Sequence, residues 1–372
     1  AAPAPAEGVR PAGRWPLALA AGAFLFLWLE VVRQLRSEWS LNPEYGYGWT
    51  VPFLAVFLFY QRWRRRPKPA APRFIGLTIA LLLLAAALFF PARLVAVANP
   101  DWRLLDWTMA LAAVVISLGA IEMAGGFSWL RHFAFPVLFF LVAVPWPTQL
   151  EQVVVQNLMR ADAAITIQIL NLSGTVALQH GNVIELRNGQ VGIDDACTGI
   201  RSLQATLMVA LFLGAFYRMN LRRRILLIVA GALLAFVCNI GRTFLLCEIA
   251  ADSGIAAIHH WHDPAGFTIL FICMFALWGM SLWLQPRPLP DERLTNTPFR
   301  LPQIGWPLAL LGWLCLTEVA VAAWYAPRAK PAAQLWSVTW PTSEHDYKSV
   351  PVPTAAEELL RYNEGGAATW RA

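Results

Sequence analysis

The apolar residues of this chain come in long blocks, not in alternating or single-face patterns, and that arrangement decides what the chain can fold into. A bilayer core of ~30 Å is crossed by about 20 apolar residues in a helix, and several blocks reach that length. Charged residues make up 14% of the 372, where a soluble domain carries about 25%. The expected fold class is an all-α polytopic membrane protein with about eight to nine transmembrane helices.

Candidate spans lie at about 15–35, 49–61, 74–91, 106–122, 132–147, 199–217, 224–247, 265–284 and 303–326. Two of these, 49–61 and 132–147, are short and require local thinning of the bilayer or tilt. The first run has no small-residue cleavage site after it and reads as a retained helix instead of a signal peptide. The sequence opens AAPAPAEG without an initiating Met, as expected of a trimmed product or a piece of a longer chain.

The net charge of +6 does not point to nucleic acid, because the basic residues sit in short clusters between apolar blocks, with no basic stripe carrying interleaved aromatics. Such clusters set membrane orientation. Arg62, Arg64, Arg65, Arg66 and Lys68 follow the second span. Arg218, Arg222, Arg223 and Arg224 separate the sixth from the seventh, and Arg287, Arg293 and Arg300 precede the ninth. With all three clusters cytoplasmic, every span alternates without conflict. Residues 1–14 then form a cytoplasmic tail, and 327–372 form a short extracytoplasmic segment. The Trp residues near span ends, such as Trp49, Trp102, Trp107 and Trp146, read as interfacial anchors.

Residues 150–172 are helical in pattern but carry Glu151, Gln152, Gln156, Asn157, Arg160, Asp162 and Gln168, which suits an amphipathic helix lying in the outer interface. Strand-like runs follow at Val176–Leu178, Val183–Leu186 and Val191–Ile193, separated by His180-Gly181-Asn182 and Arg187-Asn188-Gly189. Asn-Gly between such runs signals a hairpin, so a small extracytoplasmic β-element is expected there. The polar, Pro-rich tail after Lys330 is too short to build a large core alone.

Four of the five cysteines lie in apolar runs, where Cys is usually a small buried hydrophobe, and Cys197 stands outside them. The topology brings Cys197, Arg242 and His262 to one depth at the outer membrane surface. A thiol is a good carbonyl nucleophile, and a position at a helix start favours thiolate. Asp194 and Asp195 oppose that charge. Arg242, inside an apolar run, marks a functional site by default and is suited to holding an oxyanion, pairing with the thiolate or gripping a substrate carboxylate. Asn239 is placed to orient it or to cap a backbone break. His262 is the candidate base, with His259 and His260 as competitors. Three histidines within four residues raise a metal site, but no Cys or carboxylate cluster completes one, so neither metal nor cofactor is expected.

These residues resemble a known family. ACTGIRS at 196–202 resembles the Ala-Cys-Ser/Thr-Gly motif of the exosortase/archaeosortase family, NIGR at 239–242 its Asn-x-x-Arg motif, and HDPAG at 262–266 its His-x-x-x-Gly motif. PEYGYGWTVPFL at 43–54 resembles the family's first outer loop, with Tyr47 where a His is common, and FPVLFFLVAVPWP at 135–147 also fits. The resemblance covers about 15–285 and leaves 303–326 as an additional helix, with the segment beyond about 300 similar to the start of a module fused to some exosortases.

The resemblance implies a cysteine transpeptidase or protease of the inner membrane, with Cys197 as nucleophile, His262 as acid/base and Arg242 as transition-state stabiliser. Asp195, Thr198, Gly199, Asn239 and Gly266 fall in the same motifs as supporting residues. It implies exported proteins as substrates, recognised by a C-terminal signal made of a short motif such as Pro-Glu-Pro, a transmembrane helix and a basic end. It also implies an unidentified surface acceptor and a tie to exopolysaccharide production. Membrane lipid is a partner by location. The rivals are a transporter, a membrane acyltransferase or polysaccharide-assembly component using the same Cys and His, and a non-catalytic scaffold.

Overall fold

The computed structural model describes residues 15–192, 199–286, 305–328, 339–343, 345–352, 356 and 366–370. The 1–14 tail and the basic segment with Arg287, Arg293 and Arg300 lie outside the described residues.

The chain forms α1 (Trp15–Leu41), α2 (Val51–Trp63), α3 (Ile75–Ala98), α4 (Arg103–Phe139), α5 (Thr148–Ser173), α6 (Ile200–Phe216), α7 (Leu221–Ser253), α8 (Ala256–Leu284) and α9 (Gly305–Tyr325). A 3-10 segment, Pro43–Thr50, joins α1 to α2. It starts where Asn42 accepts a hydrogen bond from the Glu44 N–H at 3.0 Å and Pro43 fixes the first φ. Among the described residues seven helices are long and apolar enough to cross a bilayer: α1, α3, α4, α5, α7, α8 and α9. The apolar helices α2 and α6 are shorter, at 13 and 17 residues. Large side chains such as Phe53, Leu83, Val237 and Phe275 point outward, 62–75% exposed. Lipid, not a core, is the natural surrounding for that surface, and the protein is a polytopic, mostly helical membrane protein.

The fourth and fifth expected spans are the two arms of α4, which meet at Gly126 without a separate loop. Gly126 takes φ +70° and ψ −171°, and the helix continues on both sides of it. A straight helix of this length would run about 55 Å. Instead, Trp107 Nε1 donates to Pro145 O at 2.8 Å and Arg103 Nη1 donates to Trp146 O at 3.1 Å. The chain after Gly126 therefore returns to the end where α4 began, and α4 is an antiparallel hairpin with no loop. The expected loop vanishes because a Gly can make the reversal alone. A Cβ at 126 would meet the carbonyl oxygens of Ala71 and Ala70 at 2.7 and 2.8 Å.

The basic clusters that are described gather at one end. Arg62 donates to His132 O, and His132 Nε2 donates back to Arg62 O at 2.9 Å. The guanidinium groups of Arg62 and Arg224 both lie over the Phe135 ring, at 5.7 and 5.1 Å. Arg223 donates to Leu284 O, which puts the end of α8 there as well. The predicted alternation requires this meeting.

Both termini of α5 sit at the opposite end. Near its start Glu151 bonds Tyr45 and Arg103, and at its finish Ser173 donates to Glu248 of α7 at 2.8 Å. Its inward face (Val155, Met159, Ala163, Ile167 and Leu170) packs with Cys247 and Ala250 of α7. The β-element is larger than a hairpin: β1 (Ala177–His180), β2 (Val183–Leu186) and β3 (Gly189–Gly192) form an antiparallel meander with two two-residue turns. Its Ile184 and Leu186 join the core under α5, and Asn188 Nδ2 donates to Ala251 O of α7.

By its internal contacts the chain divides into Ala1–Gly312 and Trp313–Ala372. In the second unit, Arg328 stacks on Trp324 at 3.8 Å, and β4 (Lys348–Val350) pairs antiparallel with β5 (Ala367–Thr369).

Candidate active site

Helix α7 starts at the basic end, where Asn220 caps it by accepting from the Arg223 N–H at 3.0 Å. Arg242 follows Leu221 by 21 residues, about 32 Å along the axis. That is one bilayer thickness, ~30 Å, so Arg242 stands at the far surface.

Three elements converge around that level. Asp162 of α5, wholly buried, accepts from Thr243 Oγ1 at 2.6 Å and from Asn239 Nδ2 at 3.2 Å, and Thr166 of its own helix donates at 3.4 Å. Asn239 and Thr243 are one turn apart on α7, so one carboxylate holds both. A buried carboxylate is costly unless it is hydrogen-bonded, and these donors meet that need.

Arg242 is 8% exposed and donates from Nη2 to the backbone O of His262 at 3.1 Å. The same Nη2 lies 3.0 Å from His262 Nε2. A guanidinium only donates, so Nε2 is the acceptor and the imidazole proton sits on Nδ1. Nδ1 in turn donates to Asp263 Oδ1 at 3.0 Å. Arg242 and Asp263 therefore fix the tautomer from opposite sides. A Cβ at Gly266 would lie 3.5 Å from Arg242 Nη2, in ordinary contact, so Gly266 stands directly beside the guanidinium.

Gly199 completes the group. It precedes α6 in the left-handed conformation, φ +70°, and a Cβ there would sit 2.6 Å from Asn239 Cγ. Its backbone thus packs directly on Asn239. Of the residues singled out by sequence, Gly199, Asn239, Arg242, His262 and Gly266 come together in this way. Cys197, Thr198 and Asp195 lie outside the described residues, as does the side chain of His259. His260 is exposed, with its ring edge-on to Trp261 at 5.8 Å.

Two features escaped sequence reasoning. Asp162 and its threonines are the first. Asp263 is the second, although its place beside His262 in the motif was a usable signal. A separate polar knot braces the same end: Tyr45, fully buried, donates to Glu151 and accepts from the Trp146 N–H at 3.0 Å and Gln204 Nε2 at 3.3 Å. Burial, and then Glu151 beside it, push the Tyr45 phenol far above its ordinary range, so it remains a neutral donor. Tyr47 donates to Val142 O at 3.1 Å.

Comparison with known protein families matches residues 39–279 to the family described as Transmembrane exosortase (Exosortase_EpsH). The match takes in every residue of the cluster. No curated protein and no solved structure matches the chain.

Proposed function

This chain belongs to the transmembrane exosortase family, and from that membership we propose that it is a cysteine transpeptidase or protease cleaving exported proteins at a C-terminal sorting signal. The observation carrying the proposal is the convergence of Arg242, His262 and Asn239 beside Gly199, two residues along the chain from Cys197. In this reading the substrate's transmembrane helix lies against α6–α8, which brings its motif to the surface where the cluster stands.

The Cys197 thiol gives its proton to His262 and attacks the scissile carbonyl as the thiolate, forming the C–S bond while charge moves to the carbonyl oxygen. Arg242 stabilises that oxyanion. Collapse breaks the C–N bond, and His262 supplies the proton to the departing amine. The thioester then passes to an amine acceptor, or to water, with loss of the thiolate. Asn239, held by Asp162, positions the strand-to-helix junction at Gly199, with Thr198 and Asp195 in the segment before it. The cluster faces the periplasm, and the basic loops face the cytoplasm of a cell with an inner membrane. A role in surface attachment or exopolysaccharide production follows from the family.

The test is co-expression with an exported reporter bearing a short motif, a transmembrane helix and a basic end. The wild-type chain shortens the reporter, while Cys197→Ala, Arg242→Ala and His262→Ala leave it full-length at equal membrane levels. Shortening that survives Cys197→Ala removes the thiol from the mechanism.

A further inference from the structure

On the side of α1, α2 and α4 lies a cavity of about 680 Å³ that the chemistry above does not use. Its lining is almost all hydrocarbon, with Phe24, Ala55, Phe59 and Ala120 among it. The one hydroxyl in the wall, Ser117, already accepts from Trp28 Nε1 at 3.1 Å. The cavity is elongated: its lining runs from Leu17 to Val32 on α1 and from Pro52 to Trp63 on α2. At 1.5 Å per residue these stretches are about 22 and 16 Å, of the order of one leaflet, half of a ~30 Å core.

Size argues against a helix as the occupant. A bilayer-spanning helix, ~10 Å across and ~30 Å long, fills roughly 2,400 Å³. A single flexible hydrocarbon chain is the occupant that matches the volume, the length and the apolar wall.

The polar part of that occupant is set by the rim. Trp63 and Trp129 line the cavity at the basic end, and both are tied to the loop after α2. Arg66 lies over the Trp63 ring at 4.8 Å, and Trp129 Nε1 donates to Pro67 O at 2.9 Å. The Ala70 N–H, donating to Gly125 O at 3.1 Å, pins the same loop against the α4 reversal. Arg64, Arg65 and Lys68 are exposed on this loop. Cations held beside a membrane surface attract anionic headgroups, by about a factor of five per charge.

We infer that this groove is a specific site for one anionic glycerophospholipid of the leaflet at the basic end. An acyl chain lies between α1, α2 and α4, and the phosphate sits on Arg64, Arg65 and Lys68. The inference does not rest on the peptidase reading.

Native mass spectrometry of the detergent-solubilised full chain tests it, with palmitoyl-oleoyl phosphatidylglycerol and phosphatidylcholine as probes. The wild-type chain is expected to retain one phosphatidylglycerol with at least about tenfold preference over phosphatidylcholine. The variant Arg64→Gln/Arg65→Gln/Lys68→Gln, altered only on exposed side chains, loses the preference but keeps a bound lipid. The groove-filling pair Ala55→Phe/Ala120→Phe loses the bound lipid of either kind. Equal retention of both lipids by the wild-type chain overturns the headgroup assignment: the cations then serve orientation alone. Unchanged retention in the groove-filled variant overturns the acyl-chain site.

Discussion

At Gly199 a side chain has nowhere to go: the left-handed backbone disfavours any Cβ, and Asn239 already occupies the space. Gly199→Ala is therefore expected to cost about 2 kcal/mol or more, from backbone conformation and overlap together. It should abolish reporter processing and lower the unfolding midpoint in detergent. Gly266→Ala makes only an ordinary contact with Arg242 and should remain near wild type, whereas Gly266→Leu displaces the guanidinium and should lose processing without a comparable fall in midpoint. A Gly199→Ala chain with unchanged midpoint and processing would contradict this packing. Both glycines were legible in the sequence because they fall inside motifs. Asp162 was not. On a helix dotted with Glu, Gln, Asn and Arg, one more carboxylate looks like part of a wet face, and only the fold shows that α7 covers it with Asn239 and Thr243.

Elements are locked at the site end by the Tyr45 hydroxyl, which joins the 3-10 segment to α5, α6 and the turn before α5. Tyr45→Phe removes the partner of a carboxylate, a backbone N–H and an amide at once. Leaving buried polar groups unpaired in this way costs about 1–3 kcal/mol, so the thermal midpoint in detergent should fall clearly. Gln204→Leu removes one of those contacts and should fall less. Equal midpoints for Tyr45→Phe and the wild type would show that the knot is not structural. Helix identity and approximate bounds were readable from apolar block length, and the β-element from its Asn-Gly turn. The α4 reversal was read as a break between 106–122 and 132–147, but its narrowing to Gly126 alone was not, because polarity marks loops and a one-residue turn adds none of its own. The third strand was read as Val191–Ile193 and forms at Gly189–Gly192, beginning earlier because the turn before it takes only two residues.

For the whole molecule, the alternation of spans was the most legible property, since charge clusters and apolar blocks are both linear features of sequence. It makes a direct prediction of sidedness. With the native cysteines replaced by Ala, a membrane-impermeant maleimide on intact cells should label Gln179→Cys, on the β-meander, and not Lys68→Cys, in the loop after α2. The reverse pattern would invert the protein and place the cluster of Arg242 and His262 in the cytoplasm. The reversal at Gly126 carries a consequence for biogenesis. Between the two arms of α4 no separate loop intervenes, and the polar residues beside the reversal, Glu122, Arg131 and His132, belong to the arms themselves. The arms are expected to leave the translocation channel for lipid together, so that the commitment of the first to the bilayer waits on synthesis of the second.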